Sequence, residues 1–306
     1  MDSDLAAPTP EDARVADAAV RRPALARQRQ ALILEQVREH GAVRVADLVT
    51  ALGVSDMTVR RDLELLQERG LLEKVHGGAA SIEGSSLFEP GFTAKSTLME
   101  AEKELIAAAA ATLVTPGTAI AISAGTTTYA LARRLTEVPG LTVLTNSVPV
   151  ADVLYKDGRP DQTVILSGGV RTPSDALVGP FAVDVIRSLH VDSVFMGTHG
   201  VDARSGFTTP NILESETNRA LIQAGRRLIV LADHTKWGII GISSVARLEE
   251  ADTLITDAGL DAAARNQLAT TVRRLILVDV VSGERRTLVG GVEETSPGDS
   301  SSRQPG

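Results

Sequence analysis

Apolar residues divide the chain into two parts with different spacing. In residues 25–80 they recur at helical intervals, and glycines break the pattern into short stretches. From Thr118 onward, short runs of Val, Ile and Leu alternate with Ala-rich helical stretches, which is typical of βα units around a parallel sheet. The pattern predicts an α/β domain with a parallel sheet, preceded by a small all-α domain.

Within residues 25–80 the spacing predicts two helices joined by a tight turn. Apolar residues stand at i, i+3, i+4 and i+7 from Val45 to Leu52, and Gly53 follows as the turn residue. Ser55 is a good N-cap for the next helix, because its side chain can accept a hydrogen bond from a free backbone N–H group. A helix–turn–helix is the expected result.

The second of these helices carries groups suited to DNA. With its apolar residues on the core side, Thr58, Arg60 and Arg61 point outward near its start. A recognition helix enters the major groove by these turns, where Arg can bridge the O6 and N7 atoms of guanine. The spacing alone is equally compatible with an amphipathic three-helix module that binds protein.

A short β-ribbon is predicted after Gly70. The run Leu71–Gly78 contains Lys74 and His76 and ends in a Gly-Gly turn. A wing of this kind would touch the DNA backbone beside the helix–turn–helix.

The residues from Val54 to Ala79 resemble the winged helix–turn–helix of the DeoR family of bacterial transcription regulators. The family pattern, VS-x-x-T-[IV]-RRDL followed by GL-L-x-(R/K)-x-HGGA, stands here in full. The resemblance implies a transcriptional repressor that binds a double-stranded DNA operator, and it implies that Asp62 is structural. The expected DNA-binding residues are Arg60 and Arg61 as principal contacts, Ser55 and Thr58 beside them, and Lys74 and His76 of the wing.

The acidic composition is compatible with DNA binding. The net charge is −8 and the pI is about 5.3. Residues 21–80 nevertheless hold ten basic and eight acidic residues, so the acidic excess lies elsewhere. DNA senses the local potential of the face that docks, and only this part of the chain is a candidate for that face.

Residue usage excludes several classes of chemistry. The chain has no Cys, which excludes thiol nucleophiles, disulfides and Cys-based metal sites. Its five His are scattered without ligand spacing, so neither a metal nor a cofactor is expected. The start is acidic where a signal peptide needs basic residues, and the longest apolar run, Leu105 to Val114, is half the length of a membrane span. We expect a cytoplasmic protein without a membrane partner.

A candidate anion site lies in the stretch AIAISAGTTTYALARRL, from Ala119 to Leu135. An apolar run leads into the small residues Gly125 to Thr128, which open a helix. This arrangement directs free N–H groups, hydroxyls and the positive helix end to one anion, for which phosphate is the natural ligand. The loop lacks the Lys of a Walker A motif and the three-Gly dinucleotide fingerprint, which argues against nucleotide hydrolysis and NAD binding. An ordinary strand-end turn is the alternative.

Other predicted strands end in residues of the same kind. Asn146, the Gly168-Gly169 pair, His199 and Lys236 each follow an apolar run. In an open parallel sheet, ligands bind beyond the carboxyl ends of the strands, so these loops are expected to converge on one crevice. For each residue taken alone, polar turn chemistry is the alternative.

This second part resembles the sensor domain of the same family, through the motifs AGTTT, TNS-x-x-VA, VGP, GF-TT and LADH-[ST]-K in family order. That domain is similar to ribose-5-phosphate isomerase and binds phosphorylated sugars or related metabolites as effectors. Many members have Asp where this chain has Ser123, which leaves open how the loop is braced. The effector-binding residues that the resemblance implies are Gly125, Thr126, Thr127 and Thr128 around the phosphate, Lys236 beside its charge, and Asn146, Gly168, Gly169, Glu214 and Glu216 near the sugar.

A sugar-phosphate isomerase fused to a DNA-binding module is the alternative function, because one fold can serve both tasks. Such isomerases resemble one another in an Asp-Gly-Ala-Asp stretch followed by a Lys-Gly-Gly segment. Here Met196 to Asp202 reads MGTHGVD, and no Lys follows before Glu214. The groups that would stabilise an enediolate are missing, so no catalytic residue is expected. A purely structural or protein-interaction role would leave Arg60, Arg61 and the Thr loop unexplained.

The expected organisation follows from these patterns. Residues 1–24 and 281–306 are rich in small, polar and Pro residues and are predicted to be disordered tails. Between them, we expect a winged helix–turn–helix domain over 25–80, a linker over 81–97 and a sensor domain over 98–280. Since one small winged helix reads few base pairs, a homo-oligomer is expected.

Overall fold

The structure is a computed structural model, and it describes residues 26–40, 42–75, 77–80, 92–96 and 98–293. These residues form two compact units on either side of the bond between Gly84 and Ser85. His76, the tail expected over 1–24 and most of the expected linker lie outside the described residues.

The amino-terminal unit is small and mostly helical. Its elements, in chain order, are α1 (Ala26–His40), β1 (Ala42–Arg44), α2 (Val45–Leu52), α3 (Asp56–Glu68), β2 (Glu73–Val75) and β3 (Gly78–Ala80). The strands pair antiparallel in the order β1-β3-β2. The predicted winged helix–turn–helix is confirmed, and its ribbon gains a third strand that is too short to show a period in the sequence.

The turn between α2 and α3 forms as its residues predict. Gly53 is left-handed, with φ of 64°, and its N–H donates to Val49 O at 3.0 Å, which closes α2. Ser55 caps α3, because its Oγ accepts from Thr58 N at 3.3 Å. The most deeply buried apolar side chains of α3 are Val59, Leu63 and Leu66.

A buried carboxylate joins α1 to α3. Asp62 is 3% exposed, and its oxygens accept from Arg29 Nε at 2.5 Å and from Gln30 Nε2 at 3.0 Å. Gln30 Oε1 accepts in turn from Arg69 Nη1 at 3.2 Å. A carboxylate is stable inside a protein only where donors replace its water, so this network fixes how the two helices cross. This is the structural role expected for Asp62.

The carboxyl-terminal unit is an α/β structure around a large sheet. Its α-helices are α4 (Phe92–Ser96), α5 (Glu100–Ala111), α6 (Thr126–Leu135), α7 (Val148–Asp157), α8 (Pro180–Arg187), α9 (Ile212–Ala224) and α10 (Ala262–Thr271). Its strands are β4 (Ala119–Ile122), β5 (Thr142–Thr145), β6 (Thr163–Leu166), β7 (Val170–Arg171), β8 (Leu177–Val178), β9 (Ser193–Gly197), β10 (Gly200–Asp202), β11 (Gly206–Thr209), β12 (Leu228–Leu231), β13 (Ser243–Ala246), β14 (Thr253–Asp257), β15 (Arg274–Val278), β16 (Arg285–Val289) and β17 (Val292–Glu293). Short 3-10 helices cover His234–Lys236 and Leu248–Glu250.

The large sheet is parallel except at one edge. Its order is β17-β16-β15-β14-β12-β9-β4-β5-β6, and the strands from β15 to β6 run parallel. Side chains alternate between its faces: Ile120 and Ile122 pack with α5, α6 and α7, whereas Ala121 packs with α8, α9 and α10. Both faces are covered, as a parallel sheet requires. The predicted fold class, an α/β domain with an N-terminal winged helix–turn–helix, is confirmed.

Two smaller antiparallel sheets accompany the large one. They have the strand orders β10-β11-β13 and β7-β8. None of the helices in the described part of the chain combines the length and the apolar character that crossing a membrane demands.

The tail expected over 281–306 is wrong where the structure describes it. Strand β16 pairs antiparallel with β15 along its full length, and β17 pairs with β16. Leu288 packs against the core, while Arg285 and Arg286 are exposed. A strand near a sheet edge does not need the continuous apolar run that marks buried strands, so its polar composition concealed it. Residues 294–306 lie outside the described part.

The linker expected over 81–97 also ends earlier than predicted. Phe92 begins α4 and packs edge-on against Tyr129 of α6, with ring centroids 5.6 Å apart. The N–H of Phe92 donates to Pro173 O at 3.3 Å. These contacts attach a five-residue helix that has no apolar period of its own, which is why the sequence pattern missed it.

Replacing Asp62 by Ala should lower the free energy of unfolding of the amino-terminal unit by about 2 to 3 kcal/mol, because buried donors of Arg29 and Gln30 lose their acceptor. Amide hydrogen exchange in α1 and α3 of the full chain measures this change. Glu68→Ala is the control, since Glu68 is exposed on the same helix. Equal protection in the two variants would contradict the role given to Asp62.

Candidate functional sites

The first turns of α3 present a polar and basic surface. Ser55, Arg60 and Arg61 are exposed, and Thr58 is half-buried. The structure thus brings together four of the residues predicted for DNA contact, on the side opposite the buried apolar residues. This is the geometry with which a recognition helix enters a major groove.

The two arginines differ in their existing partners. Arg60 pairs with Asp56 through Nε to Oδ1 at 2.5 Å and Nη2 to Oδ2 at 3.2 Å. The hydrogen bond to Asp56 raises the pKa of Arg60 above its ordinary value. Within the described residues, Arg61 has no carboxylate partner. Arg61 is therefore available to bind guanine directly, whereas Arg60 must first give up its ion pair with Asp56.

Met57 is a candidate contact that the sequence analysis missed. It is 80% exposed in the first turn of α3, between Asp56 and Thr58. A large apolar side chain at this place is suited to the methyl group of thymine in the major groove. The sequence feature that could have identified Met57 is an apolar residue outside the core-facing positions of an amphipathic helix.

Lys74 attaches the wing to α3. Its Nζ donates to Glu64 Oε1 at 2.8 Å, and this bond lowers the pKa of Glu64 below its ordinary value. Lys74 is half-buried, so the pair places β2 beside the recognition helix. The other predicted wing contact, His76, lies outside the described residues.

The second site lies where β4 leads into α6. Gly125 is the N-cap of α6, and the helix begins at Thr126. Thr127 and Thr128 are buried, and Thr128 Oγ1 donates to Gly125 O at 2.9 Å. A side chain at Gly125 would crowd Thr128, because its Cβ would lie 3.1 Å from Thr128 Oγ1. The first N–H groups of a helix have no partner within it, so this start can receive an anion.

Buried hydrogen bonds hold this loop from behind. Asn146, which follows β5, accepts from Ala124 N at 3.0 Å and donates to Leu177 O at 3.2 Å. Ser123 is fully buried, and its Oγ accepts from Gly197 N at 3.1 Å. Ser123 thereby braces the loop against β9, at the position where many members of the resembled family have Asp. Asn146 is 1% exposed, and its amide is engaged with the backbone, so it shapes the loop.

Gly168 and Gly169 form the loop after β6. Both are exposed, with φ of 70° and 120°. A Cβ at Gly169 would lie 2.5 Å from Val178 O, so only glycine allows the loop to approach β8 this closely. Leu177 of the same strand donates its N–H to Asn146 O at 2.7 Å. The loops after β4, β5 and β6 are therefore joined in one network.

The structure separates the two candidate glutamates of α9. Glu214 is buried, and its carboxylate accepts from Thr172 Oγ1 at 3.0 Å, from Thr209 Oγ1 at 3.4 Å and from Ser174 Oγ. Glu216 is exposed, because residues two apart on a helix face opposite sides. Glu214 fastens the turn between β7 and β8 to α9, and the two glutamates do not form one site.

Lys236 ends the 3-10 helix that follows β12. It is half-buried, and its charge acts on the buried Asp233. Burial raises the pKa of Asp233, but Lys236, the hydrogen bond from Thr235 and the charge of Lys103 outweigh burial, so this pKa lies below its ordinary value. Asp233 is therefore an anion that helps to hold Lys236.

Lys95 and Lys236 form a positive region around His199, and the sequence analysis listed neither Lys95 nor His199 among the effector-binding residues. Lys95 lies on α4, where Lys103 Nζ donates to Lys95 O at 2.6 Å. His199 lies in the turn after β9. Burial lowers the pKa of His199 to about 4, together with the charges of Lys236 and Lys95. These three side chains are thus within electrostatic reach of one another at the carboxyl ends of β9 and β12. Lys95 was missed because it stands on the expected linker.

His234 adds a carboxylate-bound imidazole to the same edge. The imidazole Nδ1 lies 2.6 Å from Asp257 Oδ2, and the backbone N–H of His234 donates to Asp257 Oδ1 at 2.7 Å. The hydrogen bond to Asp257 raises the pKa of His234 above its ordinary value. In the described part of the chain, no group of three or more His, Asp or Glu side chains is arranged to hold a metal ion.

The amino-terminal and carboxyl-terminal parts of the chain each match a known protein family. Residues 29–85 match the family described as DeoR-like helix-turn-helix domain, and residues 99–258 match the DeoR C terminal sensor domain. The HTH-type transcriptional regulator YgbI of Escherichia coli (strain K12), itself uncharacterized, is 37% identical over 79% of this chain and 93% of its own length. The glycerol-3-phosphate regulon repressor of the same strain is 33% identical over 76% of this chain and 90% of its own length.

Among solved structures, the ribose 5-phosphate isomerase A of Methanocaldococcus jannaschii is similar at 15% identity, with a TM-score of 0.33. The similarity covers 44% of this chain and 53% of the isomerase. A likeness of that size carries no conclusion about activity.

Replacing Asn146 by Ala should lower the free energy of unfolding of the carboxyl-terminal unit by about 2 kcal/mol, because Ala124 N and Leu177 O lose a buried partner. Thermal unfolding followed by circular dichroism measures this loss. Asn266→Ala is the matched control, since Asn266 is exposed on α10. A melting curve of the Asn146 variant that coincides with that of the control would show that the loop is braced by other groups.

Proposed function

Because the chain belongs to the DeoR family of helix–turn–helix transcription regulators, we propose that it represses genes of carbohydrate metabolism under the control of a phosphorylated sugar. As a member of this family, it is a DNA-binding transcriptional regulator. A relative named as the repressor of the glycerol-3-phosphate regulon supports both the repression and the phosphorylated effector. Because its target is chromosomal DNA, we place the protein in the cytoplasm.

The start of α3 is the proposed reading surface. Arg61 would contact a base edge, and Arg60 would do so after exchange of Asp56. Ser55 and Thr58 would donate their hydroxyls to phosphate oxygens, contacts that position the helix along the duplex. The support for this assignment is the exposure of these side chains around one helix start.

The effector proposal depends on one juxtaposition. The start of α6, at Gly125 to Thr128, and the positive region of Lys95, His199 and Lys236 lie at the same carboxyl edge of the sheet. Helix N–H groups orient an anion through hydrogen bonds, and lysines balance its negative charge. A phosphate monoester offers both the charge and the oxygens that such a site needs, so a phosphorylated small molecule is the proposed ligand.

We propose that this ligand is bound without being converted. An isomerase needs a carboxylate that is available to take a proton from its substrate. Among the described carboxylates near this edge, Asp202 Oδ1 accepts from Arg204 N at 2.9 Å and from Ser205 N at 2.8 Å. Glu214 accepts from three hydroxyls. These engagements support a sensor over the alternative of an isomerase-type enzyme.

Control of DNA binding requires at least two copies and a coupled element. One winged helix contacts few base pairs, so we propose a homo-oligomer that reads paired half-sites. The effector shifts this binding only if it binds one arrangement of the oligomer more tightly than another. Helix α4 is the proposed coupling element, because it carries Lys95 and follows the segment that leads from the reading unit.

Arg61→Ala should weaken specific operator binding by about 1 to 3 kcal/mol, since one bidentate base contact is lost. Fluorescence anisotropy with the promoter region beside the protein's own coding sequence, at fixed salt, gives this value. Arg187→Ala is the charge-matched control, because Arg187 is exposed on α8 of the other unit. Unchanged operator affinity of the Arg61 variant would refute its assignment as a reading residue.

Thr127→Val combined with Lys236→Ala should abolish the response to phosphorylated sugars and leave operator affinity unchanged. Loss of a buried hydroxyl and a charge would remove two contacts of the phosphate group, and neither residue lies in the amino-terminal unit. The readouts are the melting temperature and the fluorescence of Trp237, the single Trp of the chain, across a panel of phosphorylated sugars and their unphosphorylated forms. Lys156→Ala, at an exposed position of α7, serves as control. A double variant that still responds would refute the site.

A further inference from the structure

A turn crosses between the two halves of the proposed effector site. This crossing turn, residues 197–201, follows β9. At one end, Gly197 lies against the anion loop, since a Cβ built there would be 4.0 Å from Gly125 Cα. At the other end, Val201 O accepts from Gly238 N at 2.8 Å, and Val201 pairs with Trp237. The turn thus spans from the start of α6 to the segment that carries Lys236.

Hydrogen bonds fix the middle of the crossing turn. Thr198 Oγ1 donates to Gly200 O at 2.9 Å, with a second possible acceptor in Thr208 O at 3.2 Å. Gly241 N donates to Thr208 Oγ1 at 2.9 Å, which ties the neighbouring loop to the same point. His199 is therefore a half-buried side chain on a turn that hydrogen bonds hold on both sides.

The charges around His199 are mostly positive. Lys236 faces it from the 3-10 helix and Lys95 from α4, and burial acts in the same direction, so the pKa of His199 falls to about 4. Beyond Lys236 lie the anionic Asp233 and the carboxylate-bound His234. At neutral pH His199 is uncharged, although it stands in the region that we assign to a dianion.

We propose that His199 is a proton-coupled contact of the effector's phosphate group, neutral without ligand and protonated when the dianion binds beside it. The inference rests on the proposed function, because it requires an anion between Gly125 and Lys236. An imidazole, unlike an ammonium group, can gain its charge near neutral pH in response to a ligand. A dianion within reach of the ring cancels the field of Lys236 and Lys95 and favours the imidazolium, which then donates to it.

Proton uptake makes effector binding depend on pH. Because the protonated form is favoured in the complex, affinity for a dianion rises as pH falls from the pKa of the bound state toward about 4, the value of the free state. Within that interval the gain approaches about tenfold per pH unit. A phosphate monoester takes up a proton of its own below about pH 6, which offsets the gain from His199, so its affinity no longer rises as pH falls below that value.

Sulfate is the probe that isolates the protein's own proton, because it remains a dianion throughout this range. Histidine ring signals of the full chain are titrated by NMR from about pH 3.5 to pH 8, with and without sulfate. His199→Asn identifies the His199 signal by its disappearance. We expect sulfate to raise the pKa of His199 by about 1 to 3 pH units. Sulfate affinity should rise as pH falls in the wild type and lose this dependence in the His199 variant.

The controls separate this inference from the function on which it rests. His190→Asn, at an exposed position after α8, should behave as the wild type. If sulfate changes the fluorescence of Trp237 while the His199 signal keeps its pKa, the inference is overturned and the effector site stands. If neither sulfate nor any phosphorylated sugar binds, both are overturned. If only a phosphorylated sugar binds, the titration is run with that compound, and an unmoved His199 signal has the same meaning.

Stability of the variant does not limit the test. The titration itself uses the wild type, and His199→Gln supplies the assignment of the signal if the Asn variant does not fold.

Discussion

Parallel strands all end on the same side of their sheet, and this constraint aligns the strand-end residues of the proposed effector site. Strands β4, β5, β9 and β12 are bonded side by side and covered by apolar side chains on both faces, so their ends cannot shift independently. Gly125, Asn146, His199 and Lys236 are far apart in the chain, yet each follows one of these strands. The loops add chemistry, and the sheet provides their alignment.

Sequence reasoning succeeded where a particular backbone conformation favours one residue type. Gly53 in its left-handed turn and Ser55 at its cap are such cases, and so is the alternation of apolar runs that predicts the sheet. It failed where a role depends on a distant partner. Lys95 joins the proposed site through α4, where Phe92 packs on Tyr129, and no local sequence pattern predicts that contact. Strand β16 escaped for a related reason, since a sheet edge accepts polar composition.

Both units depend on buried polar groups with several partners. Asp62 joins two helices in the amino-terminal unit, and Asn146 and Glu214 join loops in the other. Apolar contacts tolerate small displacements, whereas a buried polar group tolerates only the arrangement in which its partners are in place. These groups therefore select one geometry from the many that the apolar cores alone would allow. Their positions, beside the reading helix and the anion loop, are those where geometry matters most.

The pair between Arg60 and Asp56 gives the reading helix its own competitor for DNA. Asp56 already occupies the guanidinium fork, so an arbitrary stretch of duplex, which presents only phosphates, offers Arg60 little more than an exchange of one anion for another. A cognate site adds acceptors on a base edge, and only there does the exchange bring a net advantage. For the helix proposed to read DNA, this pairing would weaken sequence-independent binding more than binding at the operator.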